Sequence, residues 1–237
     1  NSRELLSNTI KRSAAVAPTI VILGSHDFVL ESKSGNAVVA NGDFWQELND
    51  MKNVHILLDE TYQDEKMFFM GYLQTLKYYY NNIEKTHIED LEAFYEDMIK
   101  HENLYKNLPK DVPTVGLIHS PEFAKDERNV ELMKEYDLLI GGHDHDGCVP
   151  FGLFNTRRGL ISPKKELFPK DVRGVRILGS GTDLLISGGV VKMGNSCPKI
   201  MQPLNYLCPM QMETVELTND ETYKDNMNIN KRLVHTR

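Results

Sequence analysis

The chain has 237 residues, of which 41% are hydrophobic, so it can bury a substantial core as one large domain or two small ones. A formal net charge of −7, with no cluster of basic residues, argues against a nucleic-acid surface. No apolar stretch approaches the ~20 residues of a membrane span, no signal peptide is evident, and three cysteines without C-x-x-C spacing fit a reducing compartment or at most one disulfide.

The first part of the sequence alternates predicted helices and strands. Residues 5–17 have the pattern of a helix, which Pro18 ends, and the β-branched run at residues 19–23 predicts a buried strand. Asp43 is predicted to cap a helix that runs to about Asp50. Two apolar runs that follow, VHILLD (54–59) and MFFMGYL (67–73), predict further strands.

The middle of the chain continues this alternation. Residues 88–107 carry apolar side chains at helical spacing, which predicts an amphipathic helix packed against a sheet. Residues 113–120 predict a strand, residues 129–136 a short helix, and residues 137–142 another strand. Residues 74–111 form a long insertion that we expect beside the functional site, where it would shape specificity.

Beyond Gly147 the pattern changes to short β-like runs separated by Gly, Pro and Asn turns, namely VRIL (175–178), DLLISGGVV (183–191) and METVEL (212–217). Strands that alternate with helices and then follow one another predict an α/β fold with layered sheets. We expect one domain over residues 1–217, followed by a polar tail at residues 218–237.

Three predicted strands end in polar residues that could carry chemistry. In sheet proteins, ligands collect at the carboxyl ends of strands, because the rigid strand fixes a side chain on a permissive loop. Half of the eight histidines of the chain lie at these three ends. The residues are Ser25, His26 and Asp27 in VILGSHDF, His119 in VGLIHSPE, and His143 and His145 in LLIGGHDHDG.

Neutral imidazole is a common ligand of Zn, Fe and Mn. The H-x-H pair alone is equally typical of a polar turn with solvent-facing histidines, and His119 alone is typical of a strand-end residue. The three strand ends together favour a metal site. His55, inside an apolar strand, is instead interpreted as a packed core histidine.

Taken in order, LGSHDF, LIHSPE and GGHDHDG resemble the last three motifs of the calcineurin-like metallophosphoesterases, which are G-N-H-D/E, a strand-end H and G-H-x-H. NVHILLDE and FFMGYL resemble the strand pair that follows the first of these motifs in the family, and residues 160–190 are similar to the segment after G-H-x-H in the bacterial subgroup that is often membrane-tethered. The resemblance covers residues 18–217. It implies a layered β-sandwich flanked by helices and a centre of two divalent metal ions, Mn, Fe or Zn.

The resemblance also implies roles for particular residues. His119 and His143 match ligands of the second metal, and His145 matches a ligand of the first. His26 matches the histidine that contacts the substrate phosphate and protonates the leaving group, with Asp27 orienting it. A role for Asp27 as a turn residue or cap stays open beside this one.

Several positions depart from the family pattern. Ser25 stands where the family has a metal-binding asparagine, so we expect a weaker second metal site. Asp146 and Cys148 stand where relatives commonly have Gly and Gln. Asp146 is interpreted as a turn residue, with a carboxylate outside the ligand set as the alternative, and Cys148 as a buried residue without a role at the site, with a soft metal ligand as the alternative.

The family's opening motifs, D-x-H and G-D-x-x-D, are not found before Gly24, and NGDF at residues 41–44 follows in the wrong order. We therefore expect the N-terminal strand units to be missing, either because the chain is a fragment, which its non-Met start favours, or because it is a natural truncation.

The leading interpretation is a phosphoesterase that hydrolyses phosphate mono- or diesters or a pyrophosphate bond, of which this chain carries about half the site. The alternative is a catalytically inactive binding or regulatory protein that keeps the fold. The expected partner is a small phosphorylated substrate, nucleotide- and lipid-linked forms both being open, and exposed sheet edges make an oligomer conceivable. The expected location is cytoplasmic, or membrane-peripheral through a missing N-terminal segment.

Overall fold

A computed structural model of the chain describes residues 2–30, 37–73, 108–125, 133–144, 159–161, 167–189, 203, 212–215 and 217. Within these residues the chain forms a mixed α/β fold with three α-helices and ten strands, in agreement with the predicted class. The predicted helix at residues 88–107, the first half (129–132) of the one at residues 129–136, and the tail at residues 218–237 lie outside the described residues.

Two small strand pairs, one parallel and one antiparallel, occupy the first part of the chain. Strand β1 pairs in parallel with β4, so that Ile20 lies opposite His55, and β2 pairs with β3 in antiparallel fashion. The elements in chain order are α1 (Ser2–Ala14), β1 (Thr19–Val21), β2 (Phe28–Leu30), β3 (Ala37–Val39), α2 (Gly42–Asn49) and β4 (Val54–Ile56).

The largest sheet has six strands in the order β5-β6-β7-β8-β10-β9. The four inner strands are parallel to one another, and each of the two outer strands is antiparallel to the inner strand beside it. A short helix, α3 (Glu122–Lys125), follows β7. The strands are β5 (Glu60–Gln63), β6 (Phe68–Gly71), β7 (Thr114–Ile118), β8 (Leu138–Gly141), β9 (Gly174–Ile177) and β10 (Asp183–Ile186).

The central strands β7 and β8 are buried on both faces, which explains why their sequences are nearly continuous apolar runs. Met70 of β6, Leu139 of β8 and Leu184 of β10 are fully buried in the main core. Tyr72 and Tyr136 are also buried there, and their hydroxyl groups hydrogen-bond to each other. Burial raises the pKa of the Tyr136 hydroxyl, so this hydroxyl stays protonated.

The starting ends of β7 and β8 are tied together by Thr114 and Asp137. The Asp137 carboxylate accepts hydrogen bonds from the Thr114 backbone N–H at 2.8 Å and from its hydroxyl at 3.0 Å. The Asp137 N–H donates to the Thr114 carbonyl oxygen at 3.1 Å. These bonds support the register in which Val115 lies opposite Leu138.

The β1–β4 pair lies directly beside β6. A Cβ atom on Gly71 would collide with the Leu57 side chain and lie 2.9 Å from the Leu57 carbonyl oxygen, so only glycine allows this approach. Across the same contact, the Asp59 N–H donates to the Gly71 carbonyl oxygen at 2.9 Å, and the Asp59 carboxylate accepts from the Leu73 N–H at 2.8 Å.

Helix boundaries differ from the sequence prediction. Helix α1 begins at Ser2 and ends at Ala14, three residues earlier at each end than predicted, and a turn separates it from Pro18. The prediction that Asp43 caps α2 is wrong. Asn41 is the N-cap, in the left-handed conformation with φ 60°, and Asp43 lies in the first helical turn, where a negative charge interacts favourably with the helix dipole.

The strand predictions missed three short strands. Strand β5 (ETYQ) is mostly exposed and polar, whereas β2 (FVL) and β3 (AVV) are apolar and lie outside the runs that were singled out in the sequence. The strand predicted at METVEL is wrong for residues 212–215 and 217, which are described and belong to no strand.

Candidate metal centre

The polar ends of β1, β7 and β8 come together at one edge of the fold. His119 follows the last residue of β7, and a single glycine, Gly142, separates His143 from the end of β8. Because β7 and β8 are adjacent parallel strands, their carboxyl ends lie side by side. Gly24, just beyond β1, contacts the His119 ring from the neighbouring pair of strands.

His119 and His143 form a hydrogen-bonded imidazole pair. His143 Nδ1 lies 2.9 Å from His119 Nε2, and the ring centroids are 4.7 Å apart at an interplanar angle of 63°. One ring donates its N–H and the other accepts, in an order set by the tautomers. The Gly142 N–H donates to the His119 carbonyl oxygen at 3.1 Å, so backbone pairing of the two strands extends up to the histidines and fixes their separation.

The backbone at His143 has an uncommon conformation. Its φ angle is 66°, in the left-handed region, which costs a non-glycine residue on the order of 1–3 kcal/mol. Immediately after it, the Asp144 N–H closes a tight turn by donating to the Gly142 carbonyl oxygen at 2.7 Å. This turn directs the His143 ring towards His119.

Asp144 is a buried acid, with 4% of its surface exposed. Its carboxylate pairs with the Lys125 ammonium of α3 at 3.5 Å, and the same ammonium lies 3.0 Å from the Glu122 carboxylate. Loss of one partner of a buried ion pair costs about 3–5 kcal/mol, because the other charge is left buried. The pair therefore connects the loop after β7 to the loop after β8.

Gly24 is packed against the face of the His119 imidazole. A Cβ atom on Gly24 would lie 2.6 Å from Cε1 and 2.7 Å from Nδ1 of that ring. Real Cβ atoms do not approach other atoms so closely, so any side chain here would displace the ring. The glycine at this strand end is thus required by close approach to a candidate ligand.

Ser25, His26 and Asp27 form a single 3-10 turn after Gly24. Ser25 is buried and adjacent in sequence to the contact with His119, whereas His26 is exposed. The Asp27 carboxylate accepts a hydrogen bond from the Gly24 N–H at 2.8 Å, and the Asp27 N–H donates to the Gly24 carbonyl oxygen at 2.9 Å. These bonds fit the interpretation of Asp27 as a turn residue, and its orientation of His26 stays a prediction.

Burial raises the pKa of the Asp27 carboxyl above its ordinary value. The hydrogen bond from Gly24 and the charge of His26 oppose this shift without cancelling it. The Asp27 carboxyl therefore takes up a proton more readily in the folded chain than in the unfolded chain.

The imidazole pair fits a metal ion in donor type and spacing. Two nitrogens 2.9 Å apart can both ligate one ion, since Zn–N bonds are about 2.0–2.1 Å long. Within the part of the chain that the structure describes, no group of three or more His, Cys, Asp or Glu side chains could hold a metal. His145, Asp146 and Cys148 lie outside the described residues.

Sequence reasoning missed a fourth strand end at this edge. Strand β10 is parallel to β8, and the Ser187 N–H after it donates to the Gly141 carbonyl oxygen at 2.8 Å. The Ser187 hydroxyl donates to the Glu213 carboxylate at 2.6 Å. The sequence ISGG carries the signature used for the other ends, an apolar run followed by a polar residue and glycine.

His55, which was interpreted as a packed core histidine, is partly buried and stacks on Tyr62, with ring centroids 4.0 Å apart.

Comparisons of this chain with protein-family models, with curated proteins and with solved structures find no match. None of the helices in the described residues is long and apolar enough to cross a membrane.

Proposed function

We propose that this chain is a metal-dependent phosphoesterase of the calcineurin-like type, in which His119 and His143 ligate one divalent ion. The observation that carries the proposal is the 2.9 Å separation of His143 Nδ1 and His119 Nε2 at the ends of adjacent parallel strands. These two histidines are 24 residues apart in sequence and belong to the second and third motifs of the family resemblance. Their meeting at one point is what a shared ligand role requires.

In this proposal the fold is the family's layered β-sandwich, without the strand units that carry D-x-H and G-D-x-x-D. The carboxylate ligands of those motifs have no counterpart in this sequence, and His145 is proposed as the remaining ligand of the first metal. Ser25, buried beside the pair, is proposed to contact the second metal through its hydroxyl. The substrate would be a small phosphate ester or a pyrophosphate.

A bound Zn, Fe or Mn ion would polarise a phosphoryl oxygen and lower the pKa of a bound water. The chain's own residues have separate tasks. His119 and His143 present ring nitrogens whose positions are fixed by the sheet. His26, exposed on its turn, is proposed to donate a proton to the leaving-group oxygen.

The experiment that tests this proposal measures metal content and hydrolysis on the same purified chain. Metal per chain is determined by inductively coupled plasma mass spectrometry after dialysis against Mn²⁺, Fe²⁺ or Zn²⁺, and hydrolysis is followed with bis-(p-nitrophenyl) phosphate. We expect at least one ion per chain and a phosphodiesterase rate that rises with metal loading. A chain that binds no metal at any loading would refute the proposal.

The second candidate function is a fold-retaining binding or regulatory protein without catalysis. It is favoured by the finding that, among the described residues, His119 and His143 belong to no group of three or more His, Cys, Asp or Glu side chains that could hold a metal. One bound ion without hydrolysis of mono-, di- or pyrophosphate substrates would identify this case.

A further inference from the structure

The two candidate ligands are each followed, within a few residues, by one member of a largely buried ion pair. Lys125 lies six residues after His119, at the end of α3, and Asp144 directly follows His143. The Lys125 ammonium lies 3.5 Å from Asp144 Oδ2, and their side chains are 12% and 6% exposed. The pair thus links the loop of one histidine to the loop of the other.

Helix α3 provides a fixed base for Lys125. Phe123 and Ala124 of this helix are buried in the main core. The Lys125 N–H donates to the Pro121 carbonyl oxygen at 3.0 Å, and the Phe123 N–H donates to the Ser120 carbonyl oxygen at 3.3 Å. The helix is therefore bound both to the core and to the chain that leaves His119, and Lys125 cannot move far from either.

The loop on the other side has a conformation that needs support. His143 is in the left-handed region with φ 66°, a conformation that costs a non-glycine residue free energy. Asp144 closes the turn through its N–H, and its carboxylate is directed inward, where an unpaired charge would be unfavourable. The Lys125 ammonium compensates that charge and so stabilises the turn that presents His143.

We propose that Lys125 and Asp144 are positioning residues, whose ion pair holds the His143 turn in the geometry that brings its imidazole to His119 for metal binding. This inference rests on the proposed function, because it assigns the pair to the same metal site. Some residues orient the metal ligands without binding the ion themselves. Their removal typically lowers metal affinity by about 10- to 100-fold. The pair therefore affects metal binding without contacting the ion.

The test measures Zn²⁺ affinity by isothermal titration calorimetry for the whole chain and its variants. We expect Lys125→Met, which keeps the length of the side chain, to weaken Zn²⁺ binding by about 10- to 100-fold, and Asp144→Asn to do the same. Lys125→Arg should restore binding to near that of the unmodified chain, because a guanidinium can also pair with Asp144. Circular dichroism spectra are used to check that each variant is folded.

Two control variants separate this pair from general effects of charge. Lys110→Met removes a lysine that is exposed on the loop before β7, and Glu122→Gln removes the other carboxylate beside Lys125. Neither should change Zn²⁺ affinity. Binding by Lys125→Met equal to that of Lys110→Met would overturn the inference, and so would equal weakening by Glu122→Gln and Asp144→Asn.

A second measurement, which needs no metal, distinguishes failure of this inference from failure of the proposed function. Hydrogen exchange at the Asp144 amide reports whether its bond to the Gly142 carbonyl oxygen persists. We expect this amide to lose protection in Lys125→Met and to keep it in Lys125→Arg. If the unmodified chain binds no Zn²⁺, the proposed function fails. Unchanged exchange in Lys125→Met would then overturn the positioning role as well, whereas lost protection would support it.

Discussion

The strand ends of β7 and β8 differ from the strand end of β1 in how they hold their histidines. His119 and His143 are partly buried, contact each other, and are placed by backbone pairing of two central parallel strands. His26 is exposed on a 3-10 turn that is closed by hydrogen bonds between Gly24 and Asp27. A rigid pair suits ligation, and an exposed ring on a separate turn suits contact with a substrate. The predictions below test this division of roles.

The largest effect is expected from removal of either member of the central pair. His143→Ala or His119→Ala should abolish metal binding, because a single imidazole is a poor site. Metal per chain after dialysis measures this. His55→Ala is the matched control. His55 lies in β4 and is stacked on Tyr62, so its removal should not affect metal content. Full metal retention by His143→Ala would show that the pair does not ligate.

His26→Ala should act on turnover and leave metal content unchanged. Loss of a general acid typically lowers the rate by about 10²- to 10⁴-fold. The measurement is kcat with bis-(p-nitrophenyl) phosphate, beside metal content, in any preparation of the protein that hydrolyses this substrate. A parallel assay with a substrate whose leaving group needs no proton should show a smaller loss. If metal content falls in proportion to the rate, the two strand ends do not have separate roles.

Gly24→Ala links the two regions, because the added Cβ atom would meet the His119 ring. We expect metal affinity to fall by about 10- to 100-fold, as when a ligand loses its orientation, while the chain stays folded. Zn²⁺ titration calorimetry measures the change. Gly42→Ala is the control, since a Cβ atom there would have no neighbour within 4 Å. Equal affinity in the two variants would contradict the packing of His119 on Gly24.

The smallest effect is expected at Asp27, in the 3-10 turn that follows Gly24. The pKa of the Asp27 carboxyl is raised in the folded chain, so its contribution to the free energy of unfolding is fully present below the ordinary pKa of about 3.9 and is lost as the pH rises through the raised value. Asp27→Asn keeps an acceptor for the Gly24 N–H, and because the amide does not ionise, the variant does not lose stability at this position as the pH rises. Urea unfolding from pH 4 to 7 should show the variant gaining stability relative to the unmodified chain as pH rises. A variant that instead loses stability would mean that the charge stabilises the turn.

The sequence predicted best where the physical signal is local. Strands β1, β4, β6, β7, β8 and β10 are apolar runs bounded by polar or glycine residues, and the predicted runs include nearly all of their residues. Strand β5 was missed because an outer strand needs neither apolar residues nor alternation, and its sequence ETYQ has little of either. The start of α2 was misjudged because Asn41, rather than Asp43, takes the left-handed conformation there.

Contacts between distant segments could not be predicted in the same way. The sequence identified His119 and His143 as candidates, but their separation follows from the parallel pairing of β7 with β8. Lys125 has the appearance of an ordinary solvated lysine, and only the fold brings it to Asp144. The role of Gly24 also depends on the fold, since the absence of a side chain there makes room for the ring of His119, which follows another strand.

Thr114 and Asp137 join β7 and β8 at the ends opposite to the histidines. A one-residue slip between these strands would turn one set of side chains to the other face of the sheet, so the encounter of His119 with His143 depends on an alignment fixed five and six residues earlier in the chain. A substitution at Thr114 that allowed this slip would separate the two histidines although every histidine is unchanged. A survey that compared only the motif residues of related chains would count such a protein as intact.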